Sequence, residues 1–284
     1  MLIELKHETL VANARKLRAI SANIRKSDEA DAEILARIGR VDTKLLSPIQ
    51  HGSEEHQQDL IQVKLRDTLV RQRVLLISTV RGLLKSLGIQ SKSPSSASFT
   101  KKLVESLNQH HSDALKLVDP MLDIIDSLSE KIKELDKALN HLADTKYPET
   151  QGLREISGVG PITALSFVLI IGDPHRFKNS RSVGAYLGLT PKRDQSGNVD
   201  KQLRISKAGD PYLRKLLVSA SQYALGHFGA DCDLRTRGLM LAERGGPRAK
   251  KKAVVATARK LATIMHSMLL HKSSYQSTKL TPAA

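Results

Sequence analysis

Residues 153–224 decide how the fold is interpreted: LREISGVGPITALSFVLIIGDPHRFKNSRSVGAYLGLTPKRDQSGNVDKQLRISKAGDPYLRKLLVSASQYA. The first part of this stretch has a Gly-Val-Gly turn, residues 158–160, between two helical patterns. The second part has the pair Ser196-Gly197 inside a basic segment that is rich in turn residues. Together these features indicate DNA as a partner and identify a place where chemistry on DNA can occur.

The Gly-Val-Gly turn fits a helix-hairpin-helix. Ile156 and Val159 are the apolar anchors of the hairpin, and Gly158 and Gly160 permit positive φ and close backbone approach. Pro161 suits the first turn of the next helix, where its missing N–H is not needed. Exposed amides at that helix start can bind a phosphate oxygen, which positions DNA without reading its sequence. The alternative is a simple tight turn between two core helices.

Ser196 lies in a polar turn with several cations close in sequence. A serine hydroxyl is a poor nucleophile without help, and adjacent cations can stabilise charge that develops on a phosphate. No Ser–His–Asp arrangement is evident, because His175 and His227 have no recognisable context. Spacing alone favours a hairpin turn at residues 196–198 between short strands. The cations near the serine are Lys192, Arg193, Lys201, Arg204, Lys207 and Arg214.

Asp28 and Asp31 form a second candidate site. They are three residues apart, so a helix places them on one face. Two carboxylates on one face can hold Mg²⁺, which prefers oxygen ligands. Spacing alone favours a different explanation, in which acids near a helix N-terminus are stabilised by the helix dipole.

Composition limits the class of protein. The 284 residues include 45 Lys and Arg against 29 Asp and Glu, a formal net charge of +16 that favours a polyanionic partner. The longest apolar run, residues 164–171, is too short to span a bilayer, and residues 1–10 do not resemble a secretory signal. Cys232 is the single cysteine, which excludes an intramolecular disulfide framework and favours a reducing, cytoplasmic setting.

The patterning predicts a mainly α protein with a small α/β fragment at its N-terminus. A strand-like run, HETLVA at residues 7–12, precedes a basic helix start over residues 13–20 and a helix that Ser27 caps. A long helix is predicted from residue 54 to residue 87, with Gly88 as its C-terminal cap. The boundaries predicted are 1–47 for the α/β fragment, 48–147 for a helical coiled-coil region with a Ser-rich linker at 91–98, 148–272 for a mostly helical C-terminal domain with the helix-hairpin-helix at 153–170, and 273–284 for a disordered tail.

A coiled-coil seam is predicted within residues 121–142, because apolar residues recur there at spacings of three and four. The seam can pair with the helix of residues 54–87 in the same chain, or with another subunit. The pattern does not decide between these partners. The seam consists of Leu122, Ile125, Leu128, Ile132, Leu135, Leu139 and Leu142.

In combination and order, three stretches resemble the DEDD transposases of bacterial insertion sequences, the IS-one-ten class. They are KSDEADAEILARI at 26–38, RDTLVRQRVLLISTVRGLLKSLG at 66–88, and the block at 153–224. The resemblance covers essentially the whole chain. It implies an N-terminal RuvC-like domain of ribonuclease-H type, a coiled-coil region and a C-terminal transposase domain.

The resemblance also implies the roles of particular residues. In that family four acids of the first domain bind Mg²⁺, and a serine of the last domain is the nucleophile that links covalently to DNA. The matching motifs assign Asp28 and Asp31 as the last two acids, and Ser196 as the serine. The family assembles as dimers and tetramers and is guided by an RNA from the element itself.

The chain departs from the family at its N-terminus. The family's first Asp and its Glu should precede residues 7–12, and neither Glu4 nor Glu8 matches them. The comparison therefore predicts a truncated copy or a mis-started reading frame, with an incomplete metal site and a poorly stabilised α/β fragment.

The sequence as a whole predicts a transposase in the cytoplasm, associated with the nucleoid and oligomeric through its coiled coil. Gly158 and Gly160 would contact the DNA backbone, as would the cations Lys192, Arg193, Arg204 and Lys207. The alternative is a truncated, inactive remnant that binds DNA without cutting it. A coiled-coil scaffold without nucleic acid is disfavoured by the basic C-terminal half.

Overall fold

The computed structural model describes residues 5–12, 17, 20, 27–46, 48, 52–90, 95–196, 199–246 and 248–277. The chain divides into two compact units, Met1–Gln57 and Gln58–Ala284. Within the described ranges the protein is mainly helical, as the sequence predicts. Its elements are α1 (Asp28–Val41), α2 (Glu54–Ser86), α3 (Phe99–His110), α4 (Ser112–Thr145), α5 (Glu149–Arg154), α6 (Pro161–Ile171), α7 (Ser182–Tyr186), β1 (Pro191–Ser196), β2 (Val199–Ile205), α8 (Pro211–Leu225), α9 (Asp233–Glu243) and α10 (Ala249–His271), with 3-10 turns at Thr43–Leu46 and Pro174–Arg176.

Helix α1 begins where the sequence predicts. The Ser27 side chain accepts a hydrogen bond from the Ala30 amide (3.2 Å), and three acids occupy the first turn. Both features stabilise a helix N-terminus, by satisfying a free amide and by placing negative charge at the positive end of the helix dipole. None of the residues of α1 is fully buried.

The predicted strand at residues 7–12 was wrong. These residues form no regular element, and Leu10 and Val11 are exposed. A strand is stabilised by hydrogen bonds to a neighbouring strand, and the described residues contain no strand other than β1 and β2. Apart from residues 17 and 20, the helix start predicted at 13–20 lies outside the described residues.

Helix α2 matches the predicted long helix to within one residue. At its C-terminus the Gly88 amide donates to the Lys85 carbonyl (3.0 Å) and the Ile89 amide donates to the Leu84 carbonyl (3.0 Å). These two bonds are the Schellman pattern, which satisfies carbonyls that the helix leaves free. The first half of the predicted linker at 91–98 lies outside the described residues, and the second half leads into α3 as bends and turns.

Helices α2 and α4 run antiparallel, because residues further along α2 contact residues nearer the start of α4. The pairing within one chain is the first of the two arrangements that the seam allowed. Three polar contacts define it: Lys146 Nζ to Asp59 Oδ2 (2.6 Å), Arg66 Nε to Asp136 Oδ1 (2.8 Å) and Arg73 Nη1 to Ser129 Oγ (3.3 Å).

The seam itself lies in the interior of this packing. Leu122 and Ile125 belong to an apolar cluster shared with α3, and Leu139 belongs to one continuous with the core of the C-terminal half. Burial of such a stripe is the main source of stability for a long helix. The fully buried seam residues are Leu122, Ile125, Ile132 and Leu139.

The core of the C-terminal half is built around α6. This helix, PITALSFVLII, is apolar on every side, and α5, α8 and α10 contribute to the same cluster. A helix that is apolar all round must be enclosed by other elements. None of the described helices has the length and apolar character needed to cross a membrane. The β1–β2 hairpin connects α7 to α8, and none of its described residues belongs to the apolar core.

Residues 273–277 follow α10 without a regular element. The Tyr275 amide donates to Glu155 Oε2 (3.1 Å), and the Tyr275 ring packs on the core. This contact differs from the prediction of a disordered tail that begins at residue 273. The remainder of that tail lies outside the described residues.

Candidate nucleic-acid interface

The turn between α5 and α6 has the geometry of a hairpin anchored in the core. Ile156 and Val159 are 1% and 5% exposed. Gly158 has φ +88, and a Cβ there would lie 2.5 Å from the Ala220 carbonyl oxygen of α8. The position therefore requires glycine for its backbone conformation and for the close approach of a neighbouring helix.

Gly160 plays a different part from the one predicted. Its φ is −85, in the extended region, and a Cβ there would meet nothing within 4 Å. Gly160 is the N-cap residue of α6, Pro161 follows as the first helical residue, and no side chain caps the helix. The first amides of a helix lack intrahelical partners. A shallow cavity of about 520 Å³, lined by the turn and α8, lies beside this helix start and includes Gly160 and Thr163 in its lining.

Ser196 is the last residue of β1 and is paired with Val199 across the antiparallel hairpin. The two strands confirm the prediction of short strands on either side of the Ser-Gly turn. Residues 197 and 198, and the side chains of Arg193 and Ser196, lie outside the described part of the chain. A register irregularity falls between Pro191 and Arg193, and such bulges redirect the side chains that follow.

Three of the four predicted phosphate-binding cations have described side chains. Lys192, Arg204 and Lys207 are exposed, and none of them forms an ion pair among the described residues. Arg214, also near in sequence, is structural instead. Its Nη1 donates to the carbonyls of Leu187 (2.9 Å) and Ala208 (2.7 Å).

Asp28 and Asp31 lie in the first turn of α1, in the N-terminal unit. Asp28 is exposed, whereas Oδ1 of Asp31 is buried and has no hydrogen-bond partner among the described residues. A buried carboxylate oxygen without a partner suits coordination of a hard cation such as Mg²⁺. In the part of the chain that the structure describes, however, no three His, Cys, Asp or Glu side chains form a metal cluster. The described residues therefore fit a pair of Mg²⁺ ligands and no more.

A serine–histidine contact, which sequence reasoning missed, lies elsewhere in the C-terminal half. His266 is completely buried, with Nδ1 3.0 Å from Ser180 Oγ and Nε2 3.0 Å from the Pro174 carbonyl oxygen. The carbonyl can only accept, so Nε2 carries the proton and Nδ1 accepts from the serine hydroxyl. The pair fastens the loop after α6 to α10. No sequence signal marks it, because the partners are 86 positions apart.

Burial lowers the pKa of His266, and the nearby charges of His175 and His271 act in the same direction. The folded protein therefore holds His266 in its neutral form. Unfolded chains take up this proton near pH 6.5, so we expect the free energy of unfolding to fall as the pH drops below 6.5, by up to about 1.4 kcal/mol per pH unit. Urea unfolding from pH 7.5 to pH 5 measures this slope. His266→Gln should flatten it, whereas His227→Gln, at an exposed position, should leave it unchanged.

Comparison with known proteins agrees with these features. A family model described as "Transposase IS116/IS110/IS902 family" matches residues 150–234, which include the Gly-Val-Gly turn and the β1–β2 hairpin. A second model, described as a transposase and named for the DEDD transposases of IS110, matches residues 1–89, which include Asp28 and Asp31.

Individual relatives extend the match over most of the chain. The transposase for insertion sequence element IS1111A of Coxiella burnetii is 31% identical over 260 residues, which are 88% of this chain and 68% of that protein. A probable family 20 transposase of Pseudomonas aeruginosa is 28% identical over 258 residues, 88% of this chain and 74% of that protein. The pilin gene-inverting protein of Moraxella bovis is 25% identical over 269 residues, 93% and 73% of the two chains. The chain therefore belongs to the IS116/IS110/IS902 family of transposases.

Proposed function

We propose that the chain cuts and rejoins DNA strands at the ends of an insertion sequence, with Ser196 as the nucleophile. The observation that carries this proposal is the position of Ser196 at the end of β1, on a hairpin outside the apolar core. The base of that hairpin has the cations Arg204 and Lys207, which form no ion pair with any described residue. All of these residues fall within the segment matched by the transposase family model.

The proposed step balances without a further reactant. Ser196 Oγ attacks a backbone phosphorus, the Oγ–P bond forms, and one bond from phosphorus to a deoxyribose oxygen breaks. The serine gives its proton to solvent, and the leaving deoxyribose oxygen takes one up. Attack by the hydroxyl of another DNA end reverses these changes and rejoins the strand. Lys192, Arg193, Arg204 and Lys207 are proposed to bind phosphates and stabilise the charge on the non-bridging oxygens.

Asp28 and Asp31 are the residues proposed to hold Mg²⁺. When bound, the ion would polarise a phosphoryl oxygen. The partnerless Oδ1 of Asp31 supports this assignment. Further ligands are needed to complete the coordination of the ion.

The helix-hairpin-helix is proposed to hold the DNA backbone. The uncapped amides at the start of α6, next to Gly158 and Gly160, are donors of the kind that bind phosphate oxygens. Contacts of this type fix the register of DNA on a protein without selecting its sequence.

Two further partners belong to the proposal: a guide RNA from the same element, supported by the net charge of +16, and a second copy of the chain. Because the seam packs within the chain, a second copy would use other faces of the long helices. Several large apolar side chains are exposed along α2, and exposed patches of this kind mark interaction surfaces. They are Ile61, Leu65, Val74, Leu75 and Leu83, and Leu87 directly after the helix is exposed as well. A cytoplasmic, nucleoid-associated protein is the corresponding proposal for location.

The test is a search for a covalent protein–DNA adduct. The full chain is incubated with a supercoiled plasmid that carries both ends of the element, together with RNA transcribed from the element. We expect a band that survives denaturation in SDS, contains both protein and DNA, and requires Mg²⁺. A chain that binds the plasmid but forms no adduct with or without Mg²⁺ would instead support the second candidate, a DNA-binding protein without cleavage activity.

A further inference from the structure

A groove of about 760 Å³ lies between the base of the β1–β2 hairpin and the first half of α10. Its floor is apolar and includes Leu189, Leu203 and Val255. Its rim is strongly basic, and none of its lining residues is acidic. Two of the cations come from the hairpin segment and four from α10 and the residue before it: Arg204, Lys207, Arg248, Lys251, Lys252 and Arg259.

Several cations elsewhere in the same unit have acidic partners. Cations of the helical core are neutralised, for example Arg66 by Asp136, Lys146 by Asp59 and Lys215 by Asp67. Among the described residues, none of the six groove cations forms an ion pair, and all six are exposed. Folding therefore brings like charges together here, and no acid in the described ranges forms an ion pair with them.

The arrangement is also unfavourable for the helix that bears it. Helix α10 has no acid in its first turn, and Lys251 and Lys252 stand at its positive end. Cations at a helix N-terminus oppose the helix dipole, at a cost of some tenths of a kcal/mol each. Local rules of this kind are broken mainly at functional sites. A bound polyanion would relieve both the dipole conflict and the mutual repulsion.

The cations of α10 form a stripe that suits an extended ligand. Lys252 and Arg259 are seven residues apart and lie on one face of α10, with Lys251 beside them and Arg248 at the N-cap. Eleven residues of helix span about 16 Å. One strand of duplex DNA presents a phosphate about every 3.4 Å along its axis, so the stripe matches roughly four to five phosphates.

We propose that this groove is a docking site for the phosphate backbone of duplex DNA, with Arg248, Lys251, Lys252 and Arg259 as binding residues in addition to the hairpin cations. The choice of DNA rests on the proposed function. A strand in the groove would lie beside Pro191, where β1 begins, and β1 ends five residues later at Ser196. That distance, about 17 Å, makes the groove a positioning surface and not part of the reaction itself.

The test compares two double variants that each remove two positive charges. Lys251→Gln/Lys252→Gln alters the groove, and Lys101→Gln/Lys102→Gln alters exposed cations of α3. Affinity for a fluorescent duplex from the element's end is measured by anisotropy as a function of salt. We expect the groove variant to lose at least about tenfold in affinity near 0.1 M salt, and its slope of log K against log salt to decrease in magnitude by about 1.8, which is 0.9 per phosphate contact. The control should change neither quantity comparably.

Thermal unfolding separates loss of binding from loss of fold. Removing two cations from the positive end of α10 should leave the melting temperature equal or raise it, so weaker binding cannot be attributed to unfolding. Equal salt slopes for the two variants would overturn the proposal. So would a groove variant that binds duplex DNA normally but loses affinity for the element's RNA or for anionic lipid vesicles.

The proposed catalytic function can fail separately. If the wild-type chain forms no adduct but the groove variant weakens duplex binding, the docking site stands and the nuclease chemistry does not. If the adduct forms and the groove variant binds DNA as tightly as the wild type, the chemistry stands and the docking site does not.

Discussion

Replacing Ser196 with alanine is expected to lower the yield of the covalent protein–DNA adduct by at least about 10³-fold, because alanine has no hydroxyl that can form the phosphoester bond. DNA affinity should stay within about twofold of the wild type. A single hydroxyl contributes little to binding that is dominated by phosphate neutralisation. The adduct is measured by SDS electrophoresis of labelled plasmid ends, and the affinity by anisotropy on the matching duplex.

Two serine variants make the result specific. Ser206→Ala lies at the opposite end of the hairpin, at an intermediate exposure, and should leave the adduct yield unchanged. Ser180→Ala removes the hydroxyl that donates a hydrogen bond to the His266 ring. An adduct that survived Ser196→Ala but vanished in Ser180→Ala would transfer the nucleophilic role to Ser180.

Local signals explain which parts of the fold could be predicted. The start of α1 follows from a serine cap and the acids behind it, and the end of α2 follows from Gly88, because each signal acts within four residues of its position. The strands of the hairpin are equally local, since only two residues separate them in the sequence. The run at residues 7–12 has the composition of a strand, but composition cannot supply the neighbouring strand that hydrogen bonding requires.

The charged residues show where prediction from sequence stops. Arg66, Arg71 and Arg73 lie close together in the sequence of α2, yet Arg66 is paired with Asp136, 70 positions away, and Arg71 with Asp67. The basic tail after residue 235 is evident in the sequence, but its division into paired and unpaired cations is not. Only the packing of α10 beside the hairpin places Arg259 and Lys207 on one groove.

The hairpin is attached to the helical core through a crossing of two backbone segments. Gly209 has φ +72, and a Cβ there would lie 2.1 Å from the Tyr186 carbonyl oxygen and 3.1 Å from its carbon. The Lys207 amide donates to the Gly188 carbonyl (3.1 Å) across the same crossing. The backbones meet with no room for a side chain, so the position of the hairpin depends on this contact.

We expect Gly209→Ala to lower the free energy of unfolding by about 3–5 kcal/mol. The left-handed conformation costs an L-residue about 1–2 kcal/mol, and separating the two backbones adds the remainder. Gly82→Ala is the matched control, because Gly82 is exposed within α2 and a Cβ there would meet nothing within 4 Å. That change should raise the free energy of unfolding by up to about 1 kcal/mol, since alanine is the better helix former.

Urea unfolding measures the expected decrease in the free energy of unfolding for Gly209→Ala and the expected increase for Gly82→Ala. Duplex binding then tests whether the backbone crossing affects function. Where Gly209→Ala remains folded, the hairpin should be displaced from α10, so the groove that Lys207 and Arg204 share with that helix should open and DNA affinity should fall. Gly82→Ala should bind as the wild type does. A Gly209→Ala protein with unchanged stability and unchanged affinity would mean that the crossing can relax around a methyl group, and that the hairpin is held by contacts further along its strands.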